Sequence, residues 1–81
     1  MVFRVFVSPK RTVLDPQGKA IGAALTSHGH KAVAEVRQGK FFDITIAPGT
    51  DREKAAAEIE QIAHEVLANP VIEDYQIVTL E

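Results

Sequence analysis

Thr50-Asp51-Arg52-Glu53-Lys54-Ala55-Ala56-Ala57-Glu58-Ile59-Glu60-Gln61-Ile62-Ala63-His64-Glu65-Val66-Leu67-Ala68-Asn69-Pro70 is the stretch on which the reading of this chain turns. Thr50 and Glu53 form a Thr-x-x-Glu capping box, in which each side chain can satisfy a backbone donor near the other residue. Ala55, Ala56, Ile59, Ile62, Ala63, Val66 and Leu67 then recur at helical spacing, and Glu58, Glu60, Gln61, His64 and Glu65 take the remaining, polar face. Asn69-Pro70 ends the pattern, because the residue before a proline is pushed out of helical geometry. The segment is therefore a helix with one face to bury, and the chain on either side must supply what it buries against.

Working outward, the chain supplies strands. Val2 to Val7 alternates, with Phe3, Val5 and Val7 on one face, and Ser8-Pro9 breaks it. Val71 to Leu80, holding Tyr75, Ile77 and Val78, reads as a closing strand. Phe41 to Ala47 alternates cleanly through Phe42, Ile44 and Ile46, and Pro48-Gly49 stops it. Ala32 to Arg37 is a weaker strand, joined to the previous one by a Gln38-Gly39 hairpin in which Gly39 would supply positive φ. Between the first strand and this hairpin lies another helix. Asp15 caps it, Pro16 occupies its first position, Ile21, Ala24, Leu25 and His28 share a face, and Gly29 closes it. Gly18 and Gly22 cost helix propensity. Close packing of helix on sheet is their ordinary reading, and close approach of a partner's backbone the functional one.

The order strand, helix, strand, strand, helix, strand predicts an α+β fold in one domain over residues 1–81. It is a ferredoxin-like β-α-β-β-α-β arrangement with a four-stranded antiparallel sheet and two helices on one face. Such a sheet leaves a face bare, on which Phe6, Val33, Phe41 and Tyr75 are expected. A domain of 81 residues has a thin core. With no cysteine to form disulfides, association with other chains is the expected support.

Composition closes off most chemistry. The net charge of −2 argues against a nucleic-acid surface, and no apolar run reaches the roughly 20 residues of a membrane span. With no export signal in Met1 to Val7 and no cysteine, a cytoplasmic location is expected. The sequence holds no G-x-x-x-x-G-K-[ST] phosphate loop and no G-x-S-x-G elbow, and lacks a thiol nucleophile. His28 and His30 bracket Gly29, but two ligands are too few for a closed metal site, and His28 suits the C-terminal end of its helix. His64, Glu58, Glu60 and Glu65 read as a solvated helix face. Lys10-Arg11 and Glu73-Asp74-Tyr75 stand out as loop and strand-end clusters without pointing to a reaction. No catalytic, cofactor-binding or metal-ligating residue is expected in this chain.

Three strings carry a resemblance. Val13-Leu14-Asp15-Pro16-Gln17-Gly18 after the first strand, Val36-Arg37-Gln38-Gly39-Lys40, and Leu67-Ala68-Asn69-Pro70-Val71-Ile72-Glu73-Asp74-Tyr75 resemble the PurS family. This is the small subunit of phosphoribosylformylglycinamidine synthase, also called formylglycinamide ribonucleotide amidotransferase. With the length, the three cover essentially the whole chain in the right order.

The resemblance implies a non-catalytic assembly subunit in purine biosynthesis. The family's complex converts formylglycinamide ribonucleotide, ATP and glutamine into formylglycinamidine ribonucleotide, ADP, phosphate and glutamate. A synthetase subunit binds ATP and Mg, a glutaminase subunit releases ammonia, and the PurS dimer or tetramer bridges them and supports ammonia transfer. The candidate partner contacts are Lys10, Arg11, Asp15, Pro16, Gln17, Gly18, Glu73, Asp74 and Tyr75. Capping alone explains Asp15 and Pro16 but not Gln17, which is the leading candidate. An ACT-like module that senses a small ligand has the same element order, since one fold hosts many functions. The motif strings favour PurS. An RNA-binding ferredoxin-like domain would need exposed aromatics on a basic sheet, which the acidic balance disfavours.

Overall fold

Alternation in the first segment produces the central strand. Strand β1 (Val2–Pro9) pairs antiparallel on both sides, with β2 (Lys40–Thr45) and with β3 (Glu73–Thr79), giving the order β2-β1-β3. A computed structural model of the chain describes residues 1–80. Phe3, Val5 and Val7 point to one face and are buried there. Helix α2 (Arg52–Ile62) lies over that face and continues as a π-type turn through Ala63–Leu67. Ala55, Ile59, Ala63 and Ala68 complete the core, and Phe42, Ile44, Ile62, Tyr75 and Ile77 are half-buried around it.

The sheet has three strands among the described residues, not the expected four. Residues 33–39 have no ladder partner and run into β2 without a turn. The expected Gln38-Gly39 hairpin is therefore absent. Gly39 does not have positive φ, unlike Gly29 (φ 90°) and Gly49 (φ 84°). Its missing side chain serves close approach instead: a Cβ there would lie 2.6 Å from the Val7 carbonyl oxygen. Weak alternation in Ala32 to Arg37 is compatible with a strand, but the segment precedes the Val7–Lys40 pair at which the β1–β2 ladder begins and has no ladder partner.

The second correction concerns helix α1 (Pro16–Ser27), which was expected beside α2 on the sheet. It contributes no side chain to the core, and Gly18 is its only buried residue. It lies against residues 11–15 and 33–37, forming an arm beyond the sheet. The chain extends 51 × 26 × 14 Å with a radius of gyration of 16.2 Å, against about 12 Å for a compact chain of this length.

Local corrections follow the same logic. The N-cap of α2 is Asp51, whose carboxylate accepts from the Lys54 amide at 3.2 Å, while Thr50 Oγ1 donates to the Ala47 carbonyl. The capping box predicted at Thr50 and Glu53 is thus displaced by an adjacent stronger acceptor. In the π turn the Ala68 amide donates to the Ala63 carbonyl, five residues back. The extra residue per turn rotates Val66 off the apolar face, leaving it 73% exposed.

The opposite sheet face is bare. Phe6 and Phe41 meet there edge to face, and the Arg4 guanidinium sits 4.3 Å above the Phe41 ring while pairing with both oxygens of Asp43 at 2.7 and 2.9 Å. Tyr75, expected on this face, stands opposite Val7 on the helix side, and Val33 lies outside the sheet.

Candidate functional site

The joint between sheet and arm is where the candidate residues gather. Asp15 is built into it from two directions. Its Oδ1 accepts from the Gly18 amide at 3.2 Å, as an N-cap should, and its Oδ2 accepts from the Gln38 amide at 2.7 Å. One carboxylate therefore holds the first turn of α1 against the chain that leads into β2. Arg37 completes the clamp, its guanidinium donating to the carbonyls of Lys10 at 2.6 Å and Val13 at 3.1 Å. Gly18 permits the approach, since a Cβ would collide with the Val36 carbonyl oxygen and the Asp15 carboxylate. The ordinary packing reading of Gly18 holds, against this segment instead of the sheet. Sequence reasoning missed Arg37 and Gln38 as parts of the joint. Their place in the second family-like string was the available signal, but a hairpin reading assigned them to a strand and a turn.

The Gln38 and Gly18 amides, with Arg37 nearby, hold the Asp15 carboxyl below its ordinary range. A carboxyl lowered in the folded state adds stability that is present above the unfolded value near 3.8 and lost as pH falls through the folded value. The arm should therefore keep its Asp15 clamp from neutral pH down to about 4 and lose it only in stronger acid. Carboxyl carbon shifts of Asp15 followed by NMR should titrate below 3.8. An ordinary or raised midpoint would contradict the clamp.

The other candidates divide. Lys10 pairs with Asp74 at 2.8 Å, and the Lys10 amide donates to the Ile72 carbonyl, so the first loop and the start of β3 meet. Asp15, Gln17 and Glu73 line one hollow of about 220 Å³ with Gln38, Gly39 and Lys40. Gln17 is exposed and makes no side-chain hydrogen bond among the described residues. Glu73 accepts from the Asn69 amide at 2.8 Å, closing the turn after α2. Pro16 occupies the first helical position. Arg11 is exposed and lines a larger groove on the far side of the joint. Tyr75 stands apart: its hydroxyl donates to Glu60 on α2, and its ring meets that of His64 edge to face. The Glu60 carboxylate, with partial burial, raises the Tyr75 hydroxyl above its ordinary value. No cluster of three or more metal-ligating side chains occurs among the described residues, and no helix is long and apolar enough to cross a membrane.

Asp15, Gln17, Gly18, Arg37, Gln38 and Glu73 at the joint thus come from the three family-like strings. A profile of the PurS family, described as phosphoribosylformylglycinamidine (FGAM) synthase, matches residues 2–81. The chain belongs to the PurS family. The PurS subunit of phosphoribosylformylglycinamidine synthase from Mycobacterium leprae is 44% identical over 73 residues, spanning 90% of this chain and 87% of that one. Methanocaldococcus jannaschii PurS, one of the subunits of formylglycinamide ribonucleotide amidotransferase in the purine biosynthetic pathway, superposes with a TM-score of 0.80. It is 38% identical, with 95% of this chain and 92% of that one covered. A chain in the PurLQS structure of Thermotoga maritima superposes with a TM-score of 0.82 at 28% identity, covering 99% of each. The PurS match decides against the ACT-like alternative.

Proposed function

We propose that this PurS-family chain is the structural subunit of a multi-subunit phosphoribosylformylglycinamidine synthase, bridging a synthetase and a glutaminase and supporting ammonia transfer between them. The observation that carries this reading is the family match over residues 2–81. Likeness to a chain of the T. maritima PurLQS assembly supports it. On this reading ATP and Mg bind in the synthetase, glutamine is hydrolysed in the glutaminase, and this chain works in the cytoplasm as a homodimer or homotetramer.

The physical contribution would be positional. A bridging subunit holds two active sites in register and excludes water between them, so that ammonia reacts before it escapes or is protonated. The shape suits such work, since sheet and arm present separate surfaces along a 51 Å axis. Gln17, exposed at the rim of the hollow at the joint, is the side chain proposed to reach a partner, with the Lys10–Asp74 pair and Arg11 as further candidates.

The test is amination of formylglycinamide ribonucleotide by the organism's synthetase and glutaminase, with and without this chain. Glutamine-dependent turnover should require the chain, while ammonia-dependent turnover should largely not. If neither activity responds and no complex forms, the bridging reading fails. In the same assay Gln17→Ala should leave the circular dichroism spectrum unchanged and lower glutamine-dependent turnover about tenfold, the loss of one interface hydrogen-bonding side chain. Unchanged turnover would remove Gln17 from the interface.

A further inference from the structure

Strand β3 stands at one edge of the sheet, and its register shows which of its backbone groups β1 already uses. The Leu80 amide donates to the Val2 carbonyl and the Lys10 amide to the Ile72 carbonyl. The hydrogen-bonded partners of β1 are therefore Ile72, Asp74, Gln76, Val78 and Leu80. In an antiparallel ladder the residues between them turn their N–H and C=O groups the other way. Those of Tyr75, Ile77 and Thr79 point out of the sheet, and among the described residues no strand lies beyond them. An open edge of this kind is a template for another strand, and proteins that leave one exposed blunt it with lysine, proline or a bulge. Tyr75-Gln76-Ile77-Val78-Thr79 has none of these: it holds no charge, proline or glycine, and its register with β1 is unbroken. Tyr75, Ile77, Val78 and Thr79 are all residues that favour strands. The opposite edge strand, β2, carries Lys40 and Asp43.

Charge selects what can lie there. All nine lysines and arginines fall within residues 1–54, whereas residues 55–81 hold Glu58, Glu60, Glu65, Glu73, Asp74 and Glu81 and no basic residue but His64. Glu60 reaches the edge itself, because its carboxylate accepts from the Tyr75 hydroxyl on the α2 side of β3. His64 follows one turn later and meets the same ring, and both side chains are exposed. A strand added about 4.8 Å outside β3 would run beneath this flank of α2. Its side chains on that side would meet a carboxylate, which favours lysine or arginine there and opposes aspartate or glutamate.

We propose that the outer edge of β3 is a docking site for an extended segment of a partner protein, which joins the sheet beside β3 and carries lysine or arginine toward α2. The backbone groups of Tyr75, Ile77 and Thr79 supply the pairing, and Glu60 selects the basic side chain. This docking rests on the reading above that the chain works between protein partners, and it uses a surface distinct from Gln17.

Hydrogen exchange of the full chain, alone and in the complex reconstituted with the organism's synthetase and glutaminase, reads the edge amide by amide. Alone, the Tyr75, Ile77 and Thr79 amides should exchange faster than those of Gln76 and Val78, which β1 holds. In the complex their exchange should slow at least about tenfold. Thr79→Pro removes one outward amide and leaves the ladder with β1 intact, the place where an edge strand tolerates proline. It should keep the wild-type dichroism spectrum and raise the dissociation constant of the complex about tenfold. Glu60→Gln keeps an acceptor for the Tyr75 hydroxyl and drops the charge. It should weaken the complex about two- to fivefold and flatten its salt dependence. Should Thr79→Pro not fold, the exchange comparison still decides. A complex in which the three amides exchange as in the free chain would leave the bridging reading standing and overturn this docking site. No complex in any mixture would overturn both. Protection already present in the free chain, and growing with its concentration, would give the edge to a second copy and overturn the proposal. An unchanged affinity and salt dependence in Glu60→Gln would overturn the basic segment as occupant.

Discussion

Ile59→Ala should lower the unfolding free energy by about 2–5 kcal/mol, the usual cost of truncating a buried isoleucine to alanine. Ile59 is 1% exposed and is among the largest fully buried side chains, packed in the cluster of Val5, Val7 and Phe3. With three strands and one covering helix, little surrounding structure can move in to fill the space. A domain of this size has only about 4–12 kcal/mol in total, so the variant loses a large part of it, from about a sixth upward. In urea unfolding followed by circular dichroism, the midpoint should fall by about 2 M or more at an unchanged slope near 1 kcal/mol/M. Val66→Ala is the comparator. Val66 belongs to the same apolar periodicity but is 73% exposed, and its truncation should stay within about 0.5 kcal/mol. Equal losses at the two positions would refute the core assignment.

The second large effect is at Gly18, and its contrast with Gly22 carries the argument. A methyl group at Gly18 meets the Val36 backbone carbonyl and the Asp15 carboxylate, neither of which can move without breaking the clamp between Asp15 and Gln38. Gly18→Ala should cost about 1–3 kcal/mol through overpacking, despite the better helix propensity of alanine. A methyl group at Gly22 meets only Val36 Cγ2 at 3.9 Å, an ordinary contact. Gly22→Ala should therefore stabilise by about 0.5–1 kcal/mol. Hydrogen exchange of the α1 amides reads both changes where they act, since the arm can open without the sheet unfolding. Protection in α1 should fall in the first variant and rise in the second. If both rise, Gly18 is not the contact point that holds the arm.

Much of this fold was legible along the chain. Alternation in Phe3, Val5 and Val7 and the helical spacing of Ala55, Ile59 and Ala63 identified two surfaces that must bury each other, and they form the core. Asp15 and Pro16 marked the start of α1, and Gly29 took the positive φ expected of a residue that closes it. Less legible was anything depending on what stands opposite. The strand signal at Ala32 to Arg37 was wrong about pairing, since Ala32 lies in a turn and residues 33–37 join no ladder. The capping box was one residue from the true cap because Thr50 and Asp51 are both good acceptors, and only the direction of the incoming chain separates them. Gly39 was given a turn when its role was close approach to Val7.

The candidate site shows the same division. Lys10 and Asp74 were named from separate clusters, one in a loop and one at a strand end, and only folding made them an ion pair. Asp15 was recognised as a cap, but its second oxygen holds an amide 23 residues away, a partner no local rule supplies. Tyr75 was grouped with Glu73 and Asp74 because they are adjacent, yet alternation along β3 sets Asp74 on the other face, and Tyr75 turns toward Glu60 on α2.

By itself the sequence determined the strand and helix types, the faces they bury, the PurS family and the absence of a thiol, since each is set by residue identity and short-range spacing. Only the tertiary structure decided that the sheet has three strands, that α1 leaves it to form an arm, and that one carboxylate ties the two parts together. Those outcomes depend on which backbone groups and surfaces meet across tens of residues, and a periodicity specifies a face to be covered without specifying what covers it.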